Sequence, residues 1–280
     1  MNEHPFERIL LATEHTEFDV GAERVAFELA GHCGIPLAVV IPVESNPEFE
    51  AAAPARALRV EYAVSARSDE LRAAARAASV PVDIHIRRGD EPYREIVAAA
   101  RALGSNLIVA RRRGKDGFLA RMMVGEMVGN VVREAPCSVL LVPRACRMWS
   151  ARILVAVDDS PAAAAVVATA CRVAAGCGLP LIVASVAAHD TAAARAAADA
   201  ALARALQAIG AAGREADGRV AVGPAAESVV AIARDAGADL VIVGRGGGHS
   251  ALRRLVFGST ARKIAGLATC PALVVGPAFP

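Results

Sequence analysis

Aromatic residues make up only 4% of this 280-residue chain, and its net charge is +2 at pH 7. Because basic residues are neither in excess nor interleaved with aromatic ones, the composition does not fit a nucleic-acid-binding protein. No apolar run approaches the roughly 20 residues that a membrane-spanning helix needs. The six cysteines form no CxxC pattern, which predicts free thiols in a reducing compartment. We therefore expect a cytoplasmic protein with no nucleic-acid partner and no membrane partner.

Motifs for side-chain catalysis are missing as well. The sequence has no GxSxG elbow for a serine nucleophile, and no Walker lysine follows its glycine-rich stretch. His15, His85 and His189 have no cysteine or histidine at the spacing of zinc ligands. The sequence therefore predicts neither a catalytic residue nor a metal site.

The chain does contain an internal repeat. Arg8–Ala12 (RILLA) returns 144 residues later as Arg152–Ala156 (RILVA). Further along, Leu107–Val109 (LIV) returns 133 residues later as Leu240–Ile242 (LVI), and the same register aligns the glycines and cysteines that follow. Self-similarity over nearly the whole chain indicates two copies of one domain. We place these domains at residues 1–146 and 150–280.

Each copy alternates short apolar runs with helix-favouring segments, which predicts an α/β fold. The expected architecture is a five-stranded parallel sheet in each domain, with right-handed crossovers and helices on both faces. The predicted strands are 9–13, 37–41, 82–86, 107–110 and 139–142 in the first copy and 153–157, 181–186, 220–222, 240–243 and 272–275 in the second. Ligands of such sheets bind outside the carboxyl ends of the strands, where the strand order reverses.

The second copy has a glycine-rich stretch at such a strand end. Leu240–Val243 reads as a buried strand, and four of the next five residues, from Gly244 to Gly248, are glycine. Ser259 and Thr260 stand where a helix begins, and a hydroxyl there caps free N–H groups. A strand, a glycine loop and a helix start together predict a cradle for a phosphate. A tight structural turn is the alternative interpretation.

These residues resemble the universal stress protein family in a tandem, two-domain form. The resemblance rests on the segments 153–160, 239–244, 252–260 and 270–275 of the second copy. It implies a flavodoxin-like or Rossmann-like fold that often dimerises, and members that bind ATP. The family pattern is Gly, two residues, Gly, nine residues, Gly and then Ser or Thr. Gly244 and Gly247 match the first pair of glycines, and Gly258-Ser259 matches the last two positions. However, ten residues instead of nine separate Gly247 from Gly258. If Gly248 is taken as the second glycine, the spacing is nine, but Arg245 then stands in the place of the first glycine.

The resemblance also implies how a nucleotide is held. Asp158 would face the ribose or the adenine, and the backbone of Val186 would face the adenine edge. Capping of the following helix is the alternative role of Asp158. The implied ligand is ATP, or else ADP or AMP, with Mg²⁺ arriving on its phosphates. The candidate cofactor-binding residues are Asp158, Val186, Gly244, Gly247, Gly248, Gly258, Ser259 and Thr260.

The first copy departs from this pattern at three positions. Arg111 stands in the place of Gly244, Glu126 in the place of Ser259, and Glu14 in the place of Asp158. A carboxylate at a helix start repels phosphate. Four basic residues after the strand would attract phosphate instead: Arg111, Arg112, Arg113 and Lys115. The alternative, that Glu126 occupies the helix start and pairs with one of these arginines, fits the sequence better. The sequence therefore predicts a degenerate, vacant site in the first domain and an occupied one in the second.

The resulting functional hypothesis is a cytoplasmic stress-response protein that binds an adenine nucleotide in its C-terminal domain and signals through a partner or a change of assembly. The expected assembly is an intramolecular pair of the two domains, through the edge of the last strand of each, and a homodimer. Two alternatives stay open: a nucleotide-free protein-interaction module, and a weak ATPase.

Overall fold

The computed structural model describes residues 4–45, 53–112, 124–246 and 257–276. Both halves alternate strands and helices, as the sequence predicted. The first half contains β1 (Ile9–Ala12), α1 (Val20–Cys33), β2 (Leu37–Glu44), α2 (Pro54–Ala78), β3 (Val82–Gly89), α3 (Pro92–Ala102), β4 (Leu107–Arg111), α4 (Glu126–Glu134) and β5 (Ser138–Val142). The second half contains β6 (Ile153–Val157), α5 (Ala163–Cys177), β7 (Leu181–Ala187), α6 (Ala192–Ala211), β8 (Ala216–Val222), α7 (Ala225–Asp235), β9 (Leu240–Gly244), α8 (Ser259–Leu267) and β10 (Ala272–Val275).

All ten strands form one sheet, in the order β3-β2-β1-β4-β5-β10-β9-β6-β7-β8. Within each half every pairing is parallel. In the second half, β6 lies between β7 and β9. The chain adds β7 and β8 on one side of β6, and then β9 and β10 on the other side. The strand order therefore reverses between β6 and β9, which is where a ligand site is expected.

The two halves join through their last strands. β5 and β10 pair antiparallel, with Leu140 opposite Leu273 and Val139 opposite Val274. Leu140 and Leu273 are equivalent residues of the repeat, so each faces its own counterpart and the pseudo-twofold axis passes between them. The predicted pairing of the domains through these strand edges is confirmed. The two five-stranded sheets are thus halves of one continuous sheet.

Helices cover both faces of this sheet, also as predicted. One layer contains α1, α2, α5 and α6, with Leu29 and Ile209 among its fully buried side chains. The other contains α3, α4, α7 and α8, with Val132 and Ala265 in its interior. Each layer runs across both domains, because buried residues of the two halves belong to one cluster on each face. Among the described helices, none is long and apolar enough to cross a membrane.

The segment between the domains is fixed by a carboxylate of the second domain. Asp239 accepts hydrogen bonds from the backbone N–H groups of Ser150, Ala151 and Arg152, at N–O distances of 2.6, 2.9 and 2.9 Å. The neighbouring Trp149 is the single tryptophan of the chain, and it is 3% exposed within the first helix layer. Asp239 therefore sets how the chain enters β6 directly after the buried tryptophan.

We predict that Asp239→Ala lowers the free energy of unfolding by about 2 kcal/mol, because three backbone donors lose a charged acceptor. Urea denaturation followed by the fluorescence of Trp149 measures the loss. Asp239→Asn is the matched control and should lose less stability. Its amide oxygen still accepts a hydrogen bond, as that of Asn106 does at the equivalent place of the first domain, but the negative charge is absent. Equal stabilities of wild type and Asp239→Ala would contradict this role.

Candidate functional site

A cavity of about 440 Å³ opens at the carboxyl ends of β6 and β9 in the second domain. This volume is within the range of about 300–1,000 Å³ that is typical of small-molecule sites. Its walls come from the ends of β6, β7 and β9 and from the first turns of α5, α7 and α8. The cavity thus lies at the topological position that the strand order predicts.

Six of the eight candidate residues line this cavity. They are Asp158, Val186, Gly244, Gly258, Ser259 and Thr260. The other two candidates, Gly247 and Gly248, lie outside the described residues. The structure also places Gly246, Ala163 and Ser160 at the cavity, which the sequence analysis did not single out.

The first turn of α8 has open backbone donors at the cavity. The helix begins at Ser259, with Gly258 as its N-cap, and no side chain caps it among the described residues. The expectation that a hydroxyl of Ser259 or Thr260 caps this helix is therefore wrong: both residues are already inside the helix. Uncapped N–H groups and the positive end of the helix dipole favour an anion there.

The strand and the helix start are tied together at their base. The N–H of Gly258 donates to the carbonyl of Arg245 at 2.9 Å, and the N–H of Arg245 donates to the carbonyl of Val275 at 3.1 Å. These bonds hold the end of β9 beside the start of α8. The backbone at Gly244 and Gly246 therefore stands next to the open donors of the helix.

Asp158 directs a carboxylate to the cavity rim. It follows the last residue of β6 and is exposed. Its Oδ1 accepts a hydrogen bond from the N–H of Ser160 at 3.1 Å, while the N-cap of α5 is Ala162. Asp158 thus forms a turn before the helix and does not cap it. Among the described residues that line the cavity, it carries the one ionisable side chain.

The equivalent place in the first domain is closed. The corresponding cavity, between the ends of β1 and β4, has a volume of only about 10 Å³. Arg111, which is 9% exposed, fills it. The guanidinium donates to Oδ2 of Asp19 at 2.9 Å and to Oγ1 of Thr16 at 3.2 Å, and it lies 3.1 Å from Oε2 of Glu14. Asp19 is only 1% exposed, so the pair is enclosed.

This arrangement corrects the interpretation of the first domain. Arg111 pairs with Asp19 and Glu14, and not with a phosphate site or with Glu126; Arg113 and Lys115 lie outside the described residues. Repeat equivalence then accounts for the difference between the two domains. Gly244 stands in the place of Arg111 and Ala163 in the place of Asp19, so the second domain lacks both members of the pair and retains the space that they fill.

Two more arginines of this region point away from the cavities. Arg245 was considered as part of the phosphate loop, yet its Nη1 donates to the carbonyl of Ala135 in the first domain at 2.8 Å. Arg112 was considered as a phosphate attractor, yet its Nη1 donates to carbonyls of α8 in the second domain. The two arginines are equivalent in the repeat, and this equivalence is the sequence signal that both serve one structural purpose.

Cys137, which is buried, and Cys270, which is half-buried, do not add a nucleophile. Burial raises the pKa of Cys137 and of Cys270 to about 12 in each case. Both groups therefore remain thiols at neutral pH, and a thiol is a poor nucleophile and metal ligand. These equivalent residues serve as small apolar packing groups just before β5 and β10.

Solved structures that cover almost the whole chain share this architecture. A universal stress protein from Archaeoglobus fulgidus is 19% identical, with 98% of each chain covered and a TM-score of 0.72. A second protein of that family and organism, solved in complex with dAMP, is 25% identical; it covers 44% of this chain and 96% of its own, with a TM-score of 0.38. A universal stress protein solved in complex with cAMP is 19% identical, covering 50% of this chain and 99% of its own, with a TM-score of 0.42. No curated protein matches this sequence.

The sequence model of the Universal stress protein family matches residues 5–143 and, separately, residues 150–276. Each match spans one half of the continuous sheet, and the second includes the cavity. The chain therefore belongs to the universal stress protein family, in a form with two tandem domains.

Proposed function

We propose that this protein binds ATP, or the related ADP or AMP, in its second domain, and that binding changes its assembly or its contact with a partner in a stress response. One observation carries the proposal: a cavity of about 440 Å³ lies at the strand-order reversal of the second domain, whereas the first domain has about 10 Å³ at the same place. The family includes members solved with dAMP and with cAMP, and the support for this chain comes from its own cavity.

The chemistry of the cavity walls suits the parts of a nucleotide. The first turn of α8 and the backbone of Gly244 and Gly246 would receive the phosphates, since they supply backbone donors with little side-chain bulk. The carboxylate of Asp158 would accept hydrogen bonds from the ribose. Apolar walls at Val186 and Val229 would contact the base. Mg²⁺ would arrive bound to the phosphates.

In this proposal the two domains, residues 1–146 and 150–280, have different roles. The second is the sensor and the first is its structural partner. We also place the protein in the cytoplasm, where adenine nucleotides are abundant and its six free thiols stay reduced. A homodimer, which the family resemblance implies, is the assembly that the ligand would adjust.

We predict that the wild type binds one equivalent of ATP and that Ser259→Glu weakens binding at least tenfold. Glutamate at this position reproduces Glu126 of the first domain, and at about 4 Å its repulsion of a phosphate charge costs up to ~4 kcal/mol. An acidic residue in the first turn also favours the helix, so the fold is not weakened. Isothermal titration calorimetry with ATP and Mg²⁺ measures both quantities.

Ser259→Gln is the matched control for that titration, because it has the same size without the charge. Its affinity should lie within about threefold of the wild type, which is less than 1 kcal/mol. Equal losses in the two variants would show that bulk, and not charge, is responsible. A wild type that gives no heat with ATP, ADP or AMP would favour the nucleotide-free interaction module.

A second prediction concerns the closure of the cavity. The double variant Gly244→Arg/Ala163→Asp transfers the first-domain ion pair to the second domain. We expect it to fill the cavity and to weaken ATP binding by at least about 100-fold, or 2.7 kcal/mol. The measurement is the same titration, followed by a crystal structure of the variant.

The control for this variant is Gly244→Ala. A methyl group at this position would lie 3.4 Å from Cγ2 of Val166, which is ordinary contact, so most of the cavity should remain. ATP affinity that survives the double variant would show that the ligand does not occupy this cavity.

A further inference from the structure

Equivalent arginines cross between the two domains. Arg245 follows β9 and is 7% exposed. Its Nη1 donates to three carbonyls at the end of α4 in the first domain. These belong to Val132, Arg133 and Ala135, at 3.2, 3.4 and 2.8 Å. Arg112 follows β4, and its Nη1 donates to the carbonyls of Ala265, at 3.3 Å, and Ala268 at the end of α8. The carbonyls of Ala265 and Ala268 are the repeat equivalents of those of Val132 and Ala135.

The ends of α4 and α8 need such donors. The last carbonyls of a helix have no partner inside the helix and form the negative end of its dipole. Helices α1 and α5 end with Gly34 and Gly178 in the left-handed conformation, which is the usual local solution. By contrast, α4 and α8 end at Ala135 and Ala268 with extended backbone. For these two helices, the guanidinium of the opposite domain supplies the donors.

Helix α8 connects this joint to the cavity. Its first turn, at Ser259 and Thr260, lines the cavity, while its last carbonyls bind Arg112. Arg245 itself lies between two cavity residues, Gly244 and Gly246, and its carbonyl accepts the N–H of Gly258. Both the helix that would receive the phosphates and the strand end beside it are therefore tied to the first domain.

We propose that Arg112 and Arg245 couple the ligand cavity to the joint between the domains, and that Arg112 is a positioning residue for the site although it belongs to the other domain. The ligand in this coupling is the nucleotide of the proposed function, so the coupling rests on that proposal. With α8 seated on Arg112, the open N–H groups of its first turn stand at the cavity. A ligand that binds this seated state better stabilises the joint, and by reciprocity a weakened joint lowers the affinity for the ligand.

This role explains why the first domain is present with a closed site. All residues that line the cavity belong to the second domain, but the helix that borders it, α8, ends on a donor from the first domain. Through Arg112, the first domain would contribute to the site of the second domain without binding a ligand itself.

The test compares Arg112→Met, which removes the guanidinium and keeps an unbranched apolar side chain, with the wild type. We expect the dissociation constant for ATP with Mg²⁺ to rise about 5- to 10-fold, within the usual range of coupling between sites. Arg112→Lys keeps the charge and should recover most of the affinity. The control is Arg101→Met, since Arg101 is an exposed arginine that donates to the carbonyl of Glu134 from within its own domain; its affinity should be unchanged.

Hydrogen–deuterium exchange supplies two further readouts, of which the ligand-dependent protection of the first domain is one that a merely structural role would not move. Without ligand, exchange in residues 259–268 should be faster in Arg112→Met and unchanged in Arg101→Met. With saturating ATP and Mg²⁺, the wild type should gain protection in residues 126–135 of the first domain, and Arg245→Met should lose that gain. If Arg112→Met does not fold, Arg112→Gln takes its place in both measurements, since it also removes the guanidinium but keeps a polar end, and the same changes are expected.

Unchanged affinity in Arg112→Met would overturn the proposal, whether or not the exchange of α8 becomes faster, as would ATP protection confined to the second domain. A wild type that binds no nucleotide would instead remove the proposed function. In that case the ligand-free exchange of residues 259–268 still decides whether Arg112 positions α8.

Discussion

The antiparallel pairing of β5 with β10 is the contact on which the rest of the structure depends. It sets Leu140 opposite its equivalent Leu273, so it creates the pseudo-twofold axis and converts two five-stranded sheets into one. Because the axis passes through the last strands, the arginine that follows β4 or β9 in each domain reaches the final turn of the other domain's last helix. An exposed strand edge invites pairing with another chain, and here the duplicated domain satisfies that edge within one chain.

Within this symmetric frame, the two ligand positions differ in content. In the first domain a buried guanidinium meets a buried carboxylate, Arg111 with Asp19, and the pair fills the place between the strand ends. Removing one partner of such a pair is expensive because a charge is left buried and unpaired. The second domain has Gly244 and Ala163 instead, so both partners are absent together and the space stays open. The two copies of the domain therefore differ at this place, one with an open cavity and the other with an ion pair.

Much of the fold followed from the sequence because parallel strands buried on both faces read as apolar runs, and the reversal of strand order follows from a topological rule. The start of β8 was missed because Asp217 and Arg219 are both exposed on an edge strand, so the run from Ala216 lacks the apolar signal. Six of the eight candidate residues of the site line one cavity. The contact of Arg111 with Asp19 spans 92 residues of sequence and leaves no local pattern. The direction of Arg245 depends on the neighbouring domain, so a motif within one copy does not predict its partner.

The central claim is that the two related positions of one chain differ in function, one open to a nucleotide and one closed by its own side chains. Native mass spectrometry of the intact protein with ATP and Mg²⁺ tests this most directly, because it counts ligands per chain. The account predicts the mass of one nucleotide on each chain. Two nucleotides per chain, or none at saturating ATP, would contradict it.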